Sequence, residues 1–159
     1  MQIEELNDSL IDSLAEFYMS DASSHDILEK LEFGSSGESF AKRIANFPTW
    51  IKIYTLTEGG RIHGCVIITG ADNLNLHDAA IIADLRIVPT IRGNGYATAL
   101  LERALGYLRE RGVKKVVTIV SEMNLAGIRL FHKAGFRAYG VFQDYYVAGE
   151  NAIALELLL

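Results

Sequence analysis

Six consecutive residues, Arg92-Gly93-Asn94-Gly95-Tyr96-Ala97, stand between an apolar, strand-like run and a helical one. A helix start presents unpaired backbone N–H groups and the positive end of the macrodipole. Glycines let the backbone approach an anion with no side chain in the way. The chemistry of such a junction is anion binding, with phosphate as its usual occupant. A Walker-type loop needs a Gly-Lys-Ser/Thr ending, and Tyr96-Ala97-Thr98 lacks the lysine. A dinucleotide fingerprint needs a third glycine where Thr98 stands, although Glu122 ends the next strand as a ribose-binding acid would. That fingerprint normally opens a βαβ series, and only roughly sixty residues remain here. From spacing alone, a phosphate cradle and a plain tight turn both stay open.

Three other sets of residues bear on chemistry. Asp84 is a carboxylate inside an otherwise apolar run, and a buried acid needs a partner. That partner is either a substrate ammonium or a local group such as Arg86 or backbone. Tyr145 and Tyr146 are adjacent near the C-terminus, as packing residues or as lining for a groove. His25, His63, His77 and His132 are scattered without ligand spacing, so no metal site is expected. Cys65 is the only cysteine; it reads as a core residue, excludes an internal disulfide and suits a reducing cytoplasm.

The elements that must position these residues fit in 159 residues, long enough for one domain over 1–159 with a core of its own. Half the residues are hydrophobic and 22% are charged, a balance that excludes disorder as the main state. No apolar run is long enough to cross a bilayer, and the acidic start MQIEELNDSL is not a signal pattern, so no membrane partner is expected. The net charge of −5 is uneven. Residues 86–137 carry ten of the fifteen basic residues and only Glu102, Glu110 and Glu122 as acids, a local charge of +7. The remaining residues sum to −12, which would repel a long phosphate backbone and argues against nucleic acid. The cationic block suits a small polyanion.

After a short N-terminal strand, Asn7 or Asp8 can cap a helix carrying Leu10, Ile11, Leu14, Phe17 and Tyr18 at helical spacing. Two shorter amphipathic stretches follow, Ile27 to Leu31 and Phe40 to Phe47. Residues 50–57 and 61–69 alternate around Gly59-Gly60 and predict a hairpin. The continuous apolar run 79–88 predicts a strand covered on both faces, stopped by Pro89. A helix over 94–111 ends at Gly112, a strand spans 115–120, and a helix over 124–134 ends at Gly135. Strands near 136–143 and 152–158 close the chain. The class is α/β with a mixed sheet rather than a doubly wound one.

The stretch Leu85-x-Ile87-x-Pro89-x-x-Arg92-Gly93-x-Gly95-x-Ala97 resembles the acetyl-CoA motif of the GNAT acetyltransferase superfamily. Asn124-x-Ala126-Gly127-x-x-Leu130-Phe131-x-Lys133-x-Gly135-Phe136 is similar to that family's second motif, and the order of elements matches along essentially the whole chain. The resemblance implies a single-domain, mostly antiparallel mixed sheet flanked by helices on both faces. It also implies acetyl-CoA as cosubstrate. Amides from Arg92 through Gly93, Asn94, Gly95 and Tyr96 to Ala97, with Thr98 beside them, would hold the pyrophosphate. Leu85 and Ile87 would pair their main chains with the pantetheine amides, Asn124 would touch that arm, and Phe131 would pack against the coenzyme.

The resemblance further implies transfer of acetyl to a primary amine, in a small molecule or at a polypeptide N-terminus. A base or water path removes the amine's proton, and a main-chain N–H on the central strand stabilises the oxyanion. In many relatives a tyrosine supplies a proton to the thiolate; its position here is Phe131, which has none to give. His132 points about 100° around the helix from it. Tyr139, Tyr145 and Tyr146 are the remaining candidates, or proximity and oxyanion stabilisation suffice. Asp144-Tyr145-Tyr146-x-x-Gly149-Glu150-Asn151-Ala152 also resembles the tyrosine-containing stretch of protein N-terminal acetyltransferases, including the ribosomal-protein alanine type. That type carries a glutamate where Ile119 stands. Two other classes remain: a non-catalytic coenzyme A sensor, supported by Phe131, and a nucleotide-binding domain such as a methyltransferase. A homodimer is compatible with the chain, with no feature to set its order.

Overall fold

A computed structural model describes residues 1–20, 49–71, 78–146 and 149–159. The amphipathic stretches expected around Ile27 to Leu31 and Phe40 to Phe47, together with His25 and His77, lie outside the described residues. The described chain forms β1 (Gln2–Glu5), a 3-10 turn, α1 (Ile11–Met19), β2 (Thr49–Glu58), β3 (Arg61–Ala71) and β4 (Ala79–Ile87). It continues with a 3-10 turn (Pro89–Ile91), α2 (Tyr96–Glu110), β5 (Lys115–Ser121), α3 (Leu125–Lys133), β6 (Arg137–Phe142) and β7 (Ala152–Leu158). The strands make one sheet in the order β1-β2-β3-β4-β5-β7-β6. All neighbours are antiparallel except β4 and β5, which α2 connects in parallel.

Local signals set these elements. Asn7 accepts from Ser9 N–H and starts the turn that leads into α1. Gly59 and Gly60 both take positive φ, as a tight two-residue hairpin turn requires. Gly112 and Gly135 end α2 and α3 in the same way: the amide after each glycine (Val113, Phe136) reaches back five residues, to Leu108 O and Phe131 O, at 3.0 Å. No helix among the described residues is long and apolar enough to cross a membrane.

The sheet is packed on both faces. Leu100, Leu101, Ala104, Leu105 and Leu108 of α2 are buried against Val66, Ile68, Ile82 and Ile87. Each buried leucine contributes about 1.5–3 kcal/mol. On the other face, Leu14, Phe17 and Tyr18 of α1 pack on Cys65 and Ile67. One expectation is corrected here: β4 is not covered throughout, because Ile81 is 50% exposed and Ala83 is exposed as well. Residues on the face turned away from α2 are left partly open at that point.

Candidate active site

The site begins where β4 and β5 part. Their parallel pairing covers only Ala79–Ile81 against Lys115–Val117. At the next residue, the Ile82 carbonyl is taken by the Thr118 hydroxyl at 3.0 Å rather than by a β5 amide. Beyond it, the strands diverge around a cleft of about 680 Å³, a volume suited to a sizeable small molecule. Asp84, Leu85, Ile87 and Arg92 line it from β4 and the following turn, Gly93, Gly95, Tyr96, Ala97 and Thr98 from the start of α2, and Asn124, Gly127 and Leu130 from α3.

A bulge decides which β4 side chains face where. Ile68 pairs with Ile82, but Ile67 pairs with Asp84, so Ala83 is an extra residue in β4. Strand side chains alternate between faces; without the bulge, Ile82, Asp84 and Arg86 would share the apolar face under α2. With it, Asp84 and Arg86 move to the α1 face, opposite Ile67 and Cys65, while Leu85 and Ile87 join the α2 core. Val88 N–H donates to His63 O on β3 at 2.9 Å, so the alternation of an antiparallel ladder turns the main chains of Leu85 and Ile87 toward the cleft.

The loop before α2 leaves open space in front of its backbone. Gly93 and Gly95 have φ of 83° and 82°, a left-handed region in which most side chains are strained. A Cβ at either position would meet nothing within 4 Å, so the space before the loop is open. No side chain caps α2. In contrast, Asn124 caps α3 by accepting from Gly127 N–H at 2.9 Å, and a Cβ on Gly127 would come within 2.6 Å of that Asn124 side chain. The exposed amides at the start of α2 therefore remain an electropositive, backbone-only surface facing the cleft. Arg92 steadies it, donating from Nε to the Ile87 carbonyl at 2.9 Å. Asn94 does the same through Nδ2 to Ile91 O at 3.1 Å and is not among the lining residues.

The buried Tyr18 and Cys65 meet the partly buried Asp84 and Arg86 on the α1 side of the cleft. Asp84 Oδ2 accepts from the Tyr18 hydroxyl at 2.5 Å and lies 3.6 Å from Arg86 Nε. Tyr18 also touches Cys65 Sγ at 3.2 Å, and the Arg86 guanidinium lies 5.3 Å from the centre of the Tyr18 ring. Burial, then the neighbouring Cys65 and Asp84, hold the Tyr18 phenol well above its ordinary range. Burial, assisted by the Asp84 charge, pushes the Cys65 thiol up to about 12.

The loop between β6 and β7 is bonded to the end of β5. Ser121 donates to Glu150 Oε1 at 2.5 Å, and Glu122 accepts from both Asn151 N–H and Asn151 Nδ2 at 3.2 and 3.1 Å. Asn151 Oδ1 in turn accepts from Asp144 N–H, and Asp144 closes the loop on Gly149 N–H. These bonds tie the loop to the end of β5 and hold Tyr145 and Tyr146 as an edge-to-face pair, centres 5.1 Å apart. Tyr146 is held above its ordinary range by burial first, then by Tyr145, Glu150 and Asp84.

The sequence-derived residues sort as follows. Leu85, Ile87, Arg92, Gly93, Gly95, Tyr96, Ala97, Thr98, Asn124 and Asp84 gather on one cleft. Phe131 is buried against Phe136, ring centres 5.1 Å apart, and Leu130 beside it lines the cleft. His132 is exposed. Tyr139 lies over Lys115 at the closed end of the β4–β5 pair, away from the opening. Glu122, considered as a ribose-binding acid, is occupied by Asn151, which removes the support for a dinucleotide site. Among the described residues, no group of three or more His, Cys, Asp or Glu side chains is arranged to hold a metal. Tyr18, which meets Asp84, reads in the sequence only as part of an apolar helix stripe. The available signal is chemical: a tyrosine on a buried helix face and an aspartate within an apolar strand each need a hydrogen-bond partner.

Known proteins resemble the chain in sequence and in fold. It is 34% identical over 71 residues to N-alpha-acetyltransferase 30 of Schizosaccharomyces pombe, covering 45% of this chain and 47% of that protein. It is 31% identical over 86 residues to the [ribosomal protein bS18]-alanine N-acetyltransferase of Haemophilus influenzae, covering 52% and 58%. The chain thus spans about half the length of these curated relatives. A Bacillus subtilis acetyltransferase crystallised in complex with CoA shares the fold over 99% of this chain and 98% of its own, with a TM-score of 0.72 at 15% identity. The sequence profile of the Acetyltransferase (GNAT) family matches residues 10–136, and the chain, with its parted central strands and uncapped glycine loop, belongs to that family.

Proposed function

We propose that this protein is an acetyl-CoA-dependent N-acetyltransferase that acetylates a primary amine, in a small molecule or at a polypeptide N-terminus. The observation that carries the reading is the cleft between β4 and β5, with the uncapped start of α2 at its mouth and ladder-free main chain along its side. The amides of residues 93–98 take the diphosphate, and the local excess of basic residues favours its charge. Leu85 and Ile87 supply main-chain partners for the pantetheine arm, and Asn124 lies across the cleft from them.

Acetyl transfer needs a neutral amine next to the thioester. Asp84 receives the acceptor's ammonium, and a base or water path takes its proton. The amine nitrogen bonds to the carbonyl carbon, the carbon–sulfur bond breaks, the nitrogen releases its second proton to water, and the departing thiolate takes a proton. Tyr146 suits that last step, because its phenol keeps its proton past the ordinary range. A thiol pKa of about 8.5 makes the thiolate a tolerable leaving group even without help. Tyr145, 44% exposed and in contact with Phe142 and Tyr146, lines the acceptor's approach. The lone buried thiol suits a reducing cytoplasm.

The test is release of free thiol from acetyl-CoA in the presence of a panel of amines and peptides with free N-termini. Acceptor-dependent release of one thiol per acetyl product is the expected result. Coenzyme binding with no release from any acceptor overturns the transferase reading, and stabilisation by adenosine cofactors instead of coenzyme A overturns the coenzyme site.

A further inference from the structure

The Tyr18 phenol is a buried polar group that the reaction outlined above does not use. It is 2% exposed, on a helix whose other buried side chains are apolar, and it sits between the buried Cys65 and the partly buried Asp84. An ionised carboxylate can only accept, so the Tyr18 hydroxyl donates to Asp84 Oδ2. The Tyr18 oxygen is then the acceptor for Cys65, whose thiol keeps its proton because burial pushes it up to about 12. The bonds therefore run one way, from Cys65 to Tyr18 to Asp84. Arg86 lies against the same carboxylate oxygen and over the Tyr18 ring. Among the described residues, Tyr18 of α1 and Arg86 of β4 lie against Asp84, and Cys65 of β3 and Tyr146 of the β6–β7 loop feel its charge.

A pair serving stability alone would not need to reach the cleft, yet Asp84 lines it. The bulge at Ala83 costs β4 a regular rung and brings Asp84 within reach of Tyr18. We infer that Tyr18 is a positioning residue for acceptor capture: by donating to Asp84 Oδ2, it holds the carboxylate in the orientation that receives the acceptor's ammonium. The inference deepens the proposed function and rests on Asp84 as the ammonium site.

The test uses Tyr18→Phe, which removes the hydroxyl and keeps the ring under Arg86. Full-length protein with 13C-labelled aspartate, saturated with coenzyme A, is titrated with propylammonium chloride while the Asp84 carboxyl resonance is followed. In the wild type this resonance moves and saturates. In Tyr18→Phe the propylammonium affinity falls about fivefold or more, while coenzyme A affinity stays within about twofold. With an acceptor found in the thiol-release panel, KM rises about tenfold and kcat changes less than threefold. Tyr18→Phe combined with Asp84→Asn is no worse than Asp84→Asn alone, because the phenol acts through the carboxylate. Equal propylammonium affinity in wild type and variant, or additive losses in the double variant, overturns the inference. If Tyr18→Phe does not fold, wild-type protein labelled also with 13C-tyrosine decides: the Tyr18 ring resonances must move with Asp84 during the titration, and their failure to move overturns it. A Tyr18-dependent titration without thiol release from any amine would sink the transferase reading and leave the Tyr18 role standing.

Discussion

Tyr18 and Asp84, 66 residues apart in the chain, share a 2.5 Å hydrogen bond from α1 to the edge of the cleft. The contact exists because one extra residue in β4 reverses the facing of everything after it. It couples the helical N-terminal part of the chain to the strand that borders the proposed thioester site.

The glycine loop provides a direct test of the diphosphate site. Gly95→Asp places a carboxylate where the backbone amides converge, and aspartate tolerates left-handed φ better than most residues. Coenzyme A affinity is expected to fall by about two orders of magnitude or more through charge repulsion in the site. Far-ultraviolet circular dichroism should be unchanged, with a small loss of thermal stability. Unaltered affinity by calorimetry would place the diphosphate elsewhere.

Tyr146 carries a pH prediction. A group that must stay protonated to donate, and whose folded value lies above 10, keeps activity up to that value and loses it only beyond. The alkaline limb of kcat is therefore expected to begin above pH 10 in the wild type. Tyr146→Phe should lower kcat about tenfold or more and abolish that limb while leaving coenzyme affinity intact. A variant with wild-type kcat would remove Tyr146 from proton transfer.

Asn151 holds the β6–β7 loop through Glu122 and Asp144. Asn151→Ala deletes its two side-chain bonds, a cost of about 1–3 kcal/mol in stability, and frees the segment bearing Tyr145 and Tyr146. Acceptor KM should rise while coenzyme affinity stays unchanged, since neither residue touches the α2 loop. Steady-state kinetics in both substrates separates the two effects.

Cys65 links stability to alkaline pH. Its folded value of about 12 exceeds the ordinary thiol value of 9.0, so the folded state holds the proton more tightly than the unfolded chain. The contribution is complete below pH 9 and is lost as pH rises from 9 toward 12. The urea midpoint should fall across that window, and less steeply in Cys65→Ala, with the raised Tyr18 phenol adding to the fall above pH 10. In native protein at pH 8, the thiol should resist aromatic disulfide reagents and react promptly after unfolding.

Much of this protein follows from sequence alone. Gly59-Gly60, Gly93, Gly95, Gly112 and Gly135 mark turns and helix ends because each sits at a positive φ, a property of the residue itself. Alternation and helical spacing mark the strands and helices, and the Arg92-to-Ala97 loop announces an anion site through chemistry that depends on neighbouring residues. What lay beyond reach depended on contacts distant along the chain. The apolar run 79–88 predicts a strand but not its bulge, because an extra residue is visible only against the partner strand. Phe131 is apolar in any reading, but only packing against Phe136 sets its place in the core. Glu122 reads as a candidate ligand until Asn151 is seen to occupy it. Tyr18 reads as one more apolar helix position until the fold brings it to Asp84. Local conformational preference is written in neighbouring residues, whereas the satisfaction of buried polar groups is decided only when distant segments meet.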